Sequence, residues 1–107
     1  MPDDASTPVL DTLADMTAVS LERSGADVHT LILERIAALA AVGAPPVSYL
    51  LHVGPAVEAG VTLEEVQSVL VAIAPIVGTA RTMAAAINIT EALGLAIAVI
   101  DDATAED

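Results

Sequence analysis

"GVTLEEVQSVLVAIAPIVG", residues 60–78, decides what kind of chain this is. Thr62 is followed three residues later by Glu65, the spacing at which two side chains satisfy the free backbone N–H groups of a helix start. Leu63, Val66, Val69, Leu70, Ile73, Ile76 and Val77 then recur at intervals of three and four, the stripe of a helix that buries one face. From Val71 the other side turns apolar as well, through Ala72 and Ala74, so this end is expected to be covered on both sides. Gly78 is the stop.

Outward from this helix the same spacing recurs, and strand alternation is nearly absent. Upstream, Pro45 and Pro46 suit the first turn of a helix running to about Ala59 and stopped at Gly60. Before it, Asp27 is the expected N-cap of "VHTLILERIAALAAV", which ends at Gly43. Asp11 is the expected N-cap of a first helix that reaches about Ser24 and stops at Gly25. Downstream, a last helix is expected from Thr79 to about Ile100. Pro55 and Pro75 fall inside helical patterns, where each frees the carbonyl four residues earlier (Leu51, Val71) and bends its helix. The reading is an all-α fold of about five helices, one domain over residues 1–107, with residues 1–8 and 101–107 as flexible acidic tails.

Composition limits the function. The chain has 107 residues, 55% of them hydrophobic, and Tyr49 is its one aromatic residue; mean hydropathy is +0.73. So much aliphatic surface cannot be hidden in so short a chain, and large exposed apolar patches mark interfaces. An obligate homo-oligomer is expected. The formal net charge is −12, with no lysine and only Arg23, Arg35 and Arg81. Such a surface repels phosphate backbones and anionic headgroups, so neither nucleic acid nor membrane is an expected partner. The longest apolar run, residues 69–80, falls short of the roughly 20 needed to span a bilayer, and the N-terminus lacks the pattern of a signal peptide. A cytoplasmic protein is expected. There is no cysteine, which excludes disulfides and thiolate chemistry. His29 and His52 lie far apart with no metal-ligand spacing, so no metal and no cofactor is expected.

Few polar residues interrupt the apolar helices. His52 shares a face with Ser48, Ala56 and Ala59, with Tyr49 one turn before it; Glu34 shares one with Thr30, Ala37, Ala38 and Ala41. Arg81, Asn88 and Glu91 lie near one face of the last helix. Ionisable groups ringed by small side chains either let helices approach closely or line a pocket. His52 is thus either an acid/base group in such a pocket or a core residue donating to a backbone carbonyl. Glu34 is either its partner or half of an ion pair with Arg35 or with Arg81 of a neighbour. Arg81, Asn88 and Glu91 either hold a ligand or form a polar network between subunits. His29 is expected to be exposed, and Met16 and Met83 to fill the core.

Taken together, residues 31–93 resemble the carboxymuconolactone decarboxylase family, whose superfamily includes the alkylhydroperoxidase-like proteins. The resemblance rests on His52, then Ala56 and Gly60, then Thr62, Glu64 and Glu65, then an apolar run ending at Gly78. It implies an alkylhydroperoxidase-like helical bundle assembled as a homotrimer or homohexamer. It places the two cysteines of the redox-active members at Pro45 and Ser48, and their glutamate close to Glu34, so peroxidase work through thiols is ruled out. For the decarboxylase branch it implies a cofactor-free enzyme in which His52 is the acid/base. There Ala72 or a neighbour stands for a glutamine, Ile76 for a tyrosine and Ala80 for a proline, while Gly78 is kept.

Two functions follow. One is a cofactor-free pocket for a small organic molecule less polar than carboxymuconolactone. In it His52 transfers protons as in a lyase or decarboxylase and Glu34 orients it or relays the proton. Arg81 or Asn88 holds an oxygen, with Tyr49, Ser48, Ile76 and Gly78 around the pocket. The alternative is a non-catalytic oligomeric scaffold or small-molecule carrier of the same descent. His52 and Glu34 are expected to converge on a mostly apolar cavity bounded by Ile76 and the Gly78 turn and closed by the last helix, of the same or of another subunit.

Overall fold

The computed structural model describes residues 7–105, and side-chain surroundings for residues 7–98. Five helices follow one another: α1 (Pro8–Arg23), α2 (Val28–Val42), α3 (Pro46–Glu58), α4 (Leu63–Val77) and α5 (Thr79–Ala105). Among the described residues there is no strand. Helix α5 packs against α3, α4 and α2, and α2 also packs against α3 and α4.

The local chemistry explains the boundaries. The Asp27 side chain accepts from the Thr30 backbone N–H at 2.8 Å, starting α2. At Thr62 both halves of the reciprocal cap form: the Glu65 N–H donates to Thr62 Oγ1 at 3.1 Å, and the Thr62 N–H to Glu65 Oε1 at 2.9 Å. Two glycines at positive φ, Gly43 (+74°) and Gly60 (+78°), end α2 and α3. In each turn the next residue reaches back five positions: the Ala44 N–H to the Leu39 carbonyl at 3.0 Å, the Val61 N–H to the Ala56 carbonyl at 2.9 Å. These are left-handed helix stops, which glycine adopts without steric cost.

The first helix departs from the expectation. Pro8 occupies its first turn and Thr7 is the N-cap, so α1 begins about a turn before the assignment of Asp11 as cap allows. Proline at that position has the helical φ already set. Asp11 instead sits in the first turn, where its carboxylate accepts from Thr7 Oγ1 at 3.1 Å. Helix α5 runs on to Ala105, past Ile100, because no glycine or proline follows to stop it. Residues 1–6 and 106–107 of the expected tails lie outside the described residues.

Two clusters make the core. Ile32, Ile36, Ala44, Tyr49 and Ala92 form one, and Ala40, Leu70 and Ala85 the other. Ala40, Ala85 and Ala92 are almost wholly buried, so the helix axes approach closely where these small side chains meet. Helix α1 buries none of its residues. Val71 and Ile76 are 75% and 86% exposed, so the second apolar face of α4 is open within the protomer. Met16 and Met83 are exposed rather than core fillers.

Helix α5 also ties the turn between α2 and α3. Arg81 Nη1 donates to the Ala41 carbonyl at 2.6 Å and Asn88 Nδ2 to the Ala44 carbonyl at 3.1 Å. His29, expected to be exposed, is half-buried and its Nε2 donates to the Glu65 carboxylate at 2.9–3.0 Å. One carboxylate therefore caps α4 and holds the start of α2.

Two stability changes follow. Thr62→Ala removes the acceptor of the α4 cap and should cost about 1 kcal/mol. Asn88→Ala leaves the carbonyl of buried Ala44 without its side-chain donor and should cost about 1–3 kcal/mol. Chemical denaturation of both variants checks this, and an Asn88→Ala midpoint equal to that of the parent would refute the clamp.

Candidate functional site

One face of α3 carries Tyr49, His52, Val53, Ala56 and Val57, spaced by three and four residues. It meets Leu63 and Val66 of α4 and Ile89, Ala92 and Leu93 of α5 around a cavity of about 260 Å³, which Ile36, Val61 and Thr62 also line. That volume lies near the small end of ligand pockets, which run to about 300–1,000 Å³. The glycine stop at Gly60 delivers Val61 and Thr62 to the wall. Thr62 is committed to the α4 cap, so the polar side chains of the cavity reduce to His52 and Tyr49.

His52 is half-buried, and its Nδ1 lies 2.8 Å from the Ser48 carbonyl. A carbonyl can only accept, so Nδ1 carries the hydrogen. In the neutral ring Nε2 then holds the free lone pair, and among the described residues it has no partner. The contact fixes tautomer and ring orientation together, as a proton-transferring imidazole requires. His52 thus donates to a backbone carbonyl and lines a cavity, half-buried and outside the core clusters. On its other side it borders a second cleft with Met16, Thr17 and Ser20 of α1 and Arg35 of α2. The Arg35 guanidinium donates there to the Thr17 carbonyl at 3.3 Å and to Ser20 Oγ at 3.1 Å.

Tyr49 is 4% exposed, and its hydroxyl is the one buried side-chain polar atom without a partner among the described residues. Leaving such a group unpaired costs about 1–3 kcal/mol. Burial pushes its phenol above the ordinary tyrosine value, because the phenolate would lose its hydration. It stays a neutral hydroxyl at any pH near neutrality.

The rest of the expected set is not gathered here. Glu34 is exposed on α2 and lies outside the cavity wall. Ile76 and Gly78 are exposed at the α4–α5 turn and do not bound the cavity. Arg81 and Asn88 hold backbone carbonyls at the α2–α3 turn. Ser48 takes part through its carbonyl. The sequence reading expected the last helix to close the cavity but missed which residues of α4 and α5 line it. Their signal was present in the repeats at Leu63 and Val66 and at Ile89, Ala92 and Leu93, which read as ordinary core. Among the described residues no three His, Asp or Glu side chains come together as a metal site, and no helix is long and apolar enough to cross a membrane.

The sequence model of the Carboxymuconolactone decarboxylase family matches residues 8–92. No curated protein and no solved structure matches the chain.

Because Tyr49 is the one tyrosine, its ionisation can be followed alone by ultraviolet absorbance. The midpoint in the folded protein should lie above the free-tyrosine value of about 10. The unfolded chain gives up this proton first, so the contribution of Tyr49 to stability is complete below about pH 10 and lost as pH rises through the higher folded value. A midpoint at or below that of free tyrosine would contradict the burial.

Proposed function

Given that the chain belongs to the carboxymuconolactone decarboxylase family, we propose that it is a cofactor-free, small-molecule-binding member of it, with proton transfer at His52 Nε2. The observation that carries this reading is the His52 Nδ1 contact with the Ser48 carbonyl. It leaves Nε2 basic on a side chain that lines an aliphatic cavity. A bound molecule presenting an O–H, or a C–H next to a carbonyl, gives its proton to Nε2 and can take it back at a neighbouring position. That is the elementary step of isomerases and lyases alike. With no cysteine in the chain, thiol-dependent peroxide reduction lies outside its chemistry.

The same reading includes assembly. Val9, Leu10, Met16 and Val71 are all at least 60% exposed, and an apolar surface of this kind favours a neighbour over water. We propose a trimer or hexamer in which α1 and the end of α4 are covered. Light scattering that gives a stable folded monomer at micromolar concentration overturns this part.

His52→Ala separates a working histidine from a structural one. The Ser48 carbonyl already belongs to the α3 ladder, so the change should cost no more than about 1 kcal/mol of stability. Solvent-deuterium exchange into carbonyl compounds, followed by NMR, should fall by about 10²–10⁴. Exchange unchanged by the substitution would refute the role.

A further inference from the structure

Resting on that reading of the cavity, we infer that its ligand is a neutral, mainly hydrocarbon molecule with a single oxygen function, an alcohol in the first instance, and not a carboxylate. Of the thirteen residues that line the cavity, ten are aliphatic: Ile36, Val53, Ala56, Val57, Val61, Leu63, Val66, Ile89, Ala92 and Leu93. The others are His52, Tyr49 and Thr62, so neither arginine nor lysine lines it. Arg81 is held at the Ala41 carbonyl, and Arg35 lies on the other side of His52 at Thr17 and Ser20.

A carboxylate settling against these aliphatic walls would lose part of its hydration and meet no arginine or lysine to offset the loss. It would also have to approach a protein of net charge −12. A neutral molecule meets neither obstacle. The polar atoms available to it select the function it carries. His52 Nε2, with Nδ1 holding the hydrogen, accepts, so the ligand donates, as an alcohol O–H does. Tyr49 also lines the cavity, and its hydroxyl, buried and without a partner among the described residues, could pair with the same oxygen only if the ring moved to meet an occupant. At about 260 Å³ the space suits a small alicyclic or medium-chain molecule, not a lipid.

The test uses the assembled protein with cyclohexylmethanol, cyclohexanecarbaldehyde and cyclohexanecarboxylate, which share a ring and differ in the oxygen function. Titration calorimetry measures affinity, and the fluorescence of Tyr49, the chain's one aromatic residue, reports the location. We expect the alcohol to bind most tightly and the carboxylate not measurably. His52→Ala should weaken alcohol binding about three- to tenfold, the worth of one neutral hydrogen bond. Ala56→Leu, which fills the cavity from the half-buried face of α3, should abolish binding while circular dichroism shows the helices intact.

Carboxylate binding as tight as alcohol binding overturns the inference about ligand class and leaves the proton-transfer reading standing. Failure of all three compounds to bind overturns both. Alcohol binding that survives Ala56→Leu and leaves Tyr49 fluorescence unchanged places the ligand elsewhere and also overturns the inference.

Discussion

The turn from α2 into α3 is the constraint on which the rest depends. Reversing the chain within three residues leaves carbonyls at the end of α2 that no backbone N–H can reach. Gly43, at φ +74°, turns the chain so that two of them are satisfied, those of Leu39 and Ala40. The carbonyls of Ala41 and Ala44 remain, and α5 supplies their donors through Arg81 and Asn88. The last helix is thereby fixed against the middle of the chain, and Ile89, Ala92 and Leu93, on the turns that follow Asn88, become a wall of the cavity. Arg81 and Asn88, which the sequence suggested for ligand contact, are thus employed in holding the α2–α3 turn.

A second constraint works at the other end of the bundle. The Glu65 carboxylate caps α4 and receives His29 from α2. The backbone N–H of Thr62 and then His29 hold its pKa below the ordinary glutamate range. This tie is therefore complete above about pH 4.3, the ordinary glutamate value, and fades as acid takes the pH through the lower folded one. The group is solvent-exposed and the tie is modest, but it sits beside Val61 and Thr62 in the cavity wall.

The sequence was most legible where a single residue type dictates the backbone. Gly43, Gly60 and Gly78 mark helix ends because nothing else adopts positive φ so readily, and Thr62 with Glu65 marks a start because the pair serves itself. The family was legible for a similar reason, since His52, Gly60 and the cap stand at fixed intervals. The site was legible only along α3. Periodicity shows which residues share a face and not which face meets which helix, so Glu34 was set opposite His52 by reasoning on adjacency alone. In the structure α2 turns Ile32, Ile36 and Ala40 inward and leaves Glu34 outside. The start of α1 was misjudged because Asp11 is a good cap by type. Pro8, three residues before it, had already set the helix in motion.

Helix α1 brings the two unresolved surfaces of the protomer together. It buries no residue of its own, and Arg35 holds it by hydrogen bonds to Thr17 and Ser20. These same residues, with Met16, form the cleft on the far side of His52. The imidazole therefore borders both an aliphatic cavity, built mainly by α3, α4 and α5, and a cleft whose outer side is a helix with an uncovered apolar surface. Burying the apolar face of α1 against a neighbouring copy would steady that outer side without adding a polar atom to the cavity. The uncovered apolar surface and the residues that border the cleft beside His52 thus share one helix, so covering α1 would act on the surroundings of the imidazole as well as on solubility.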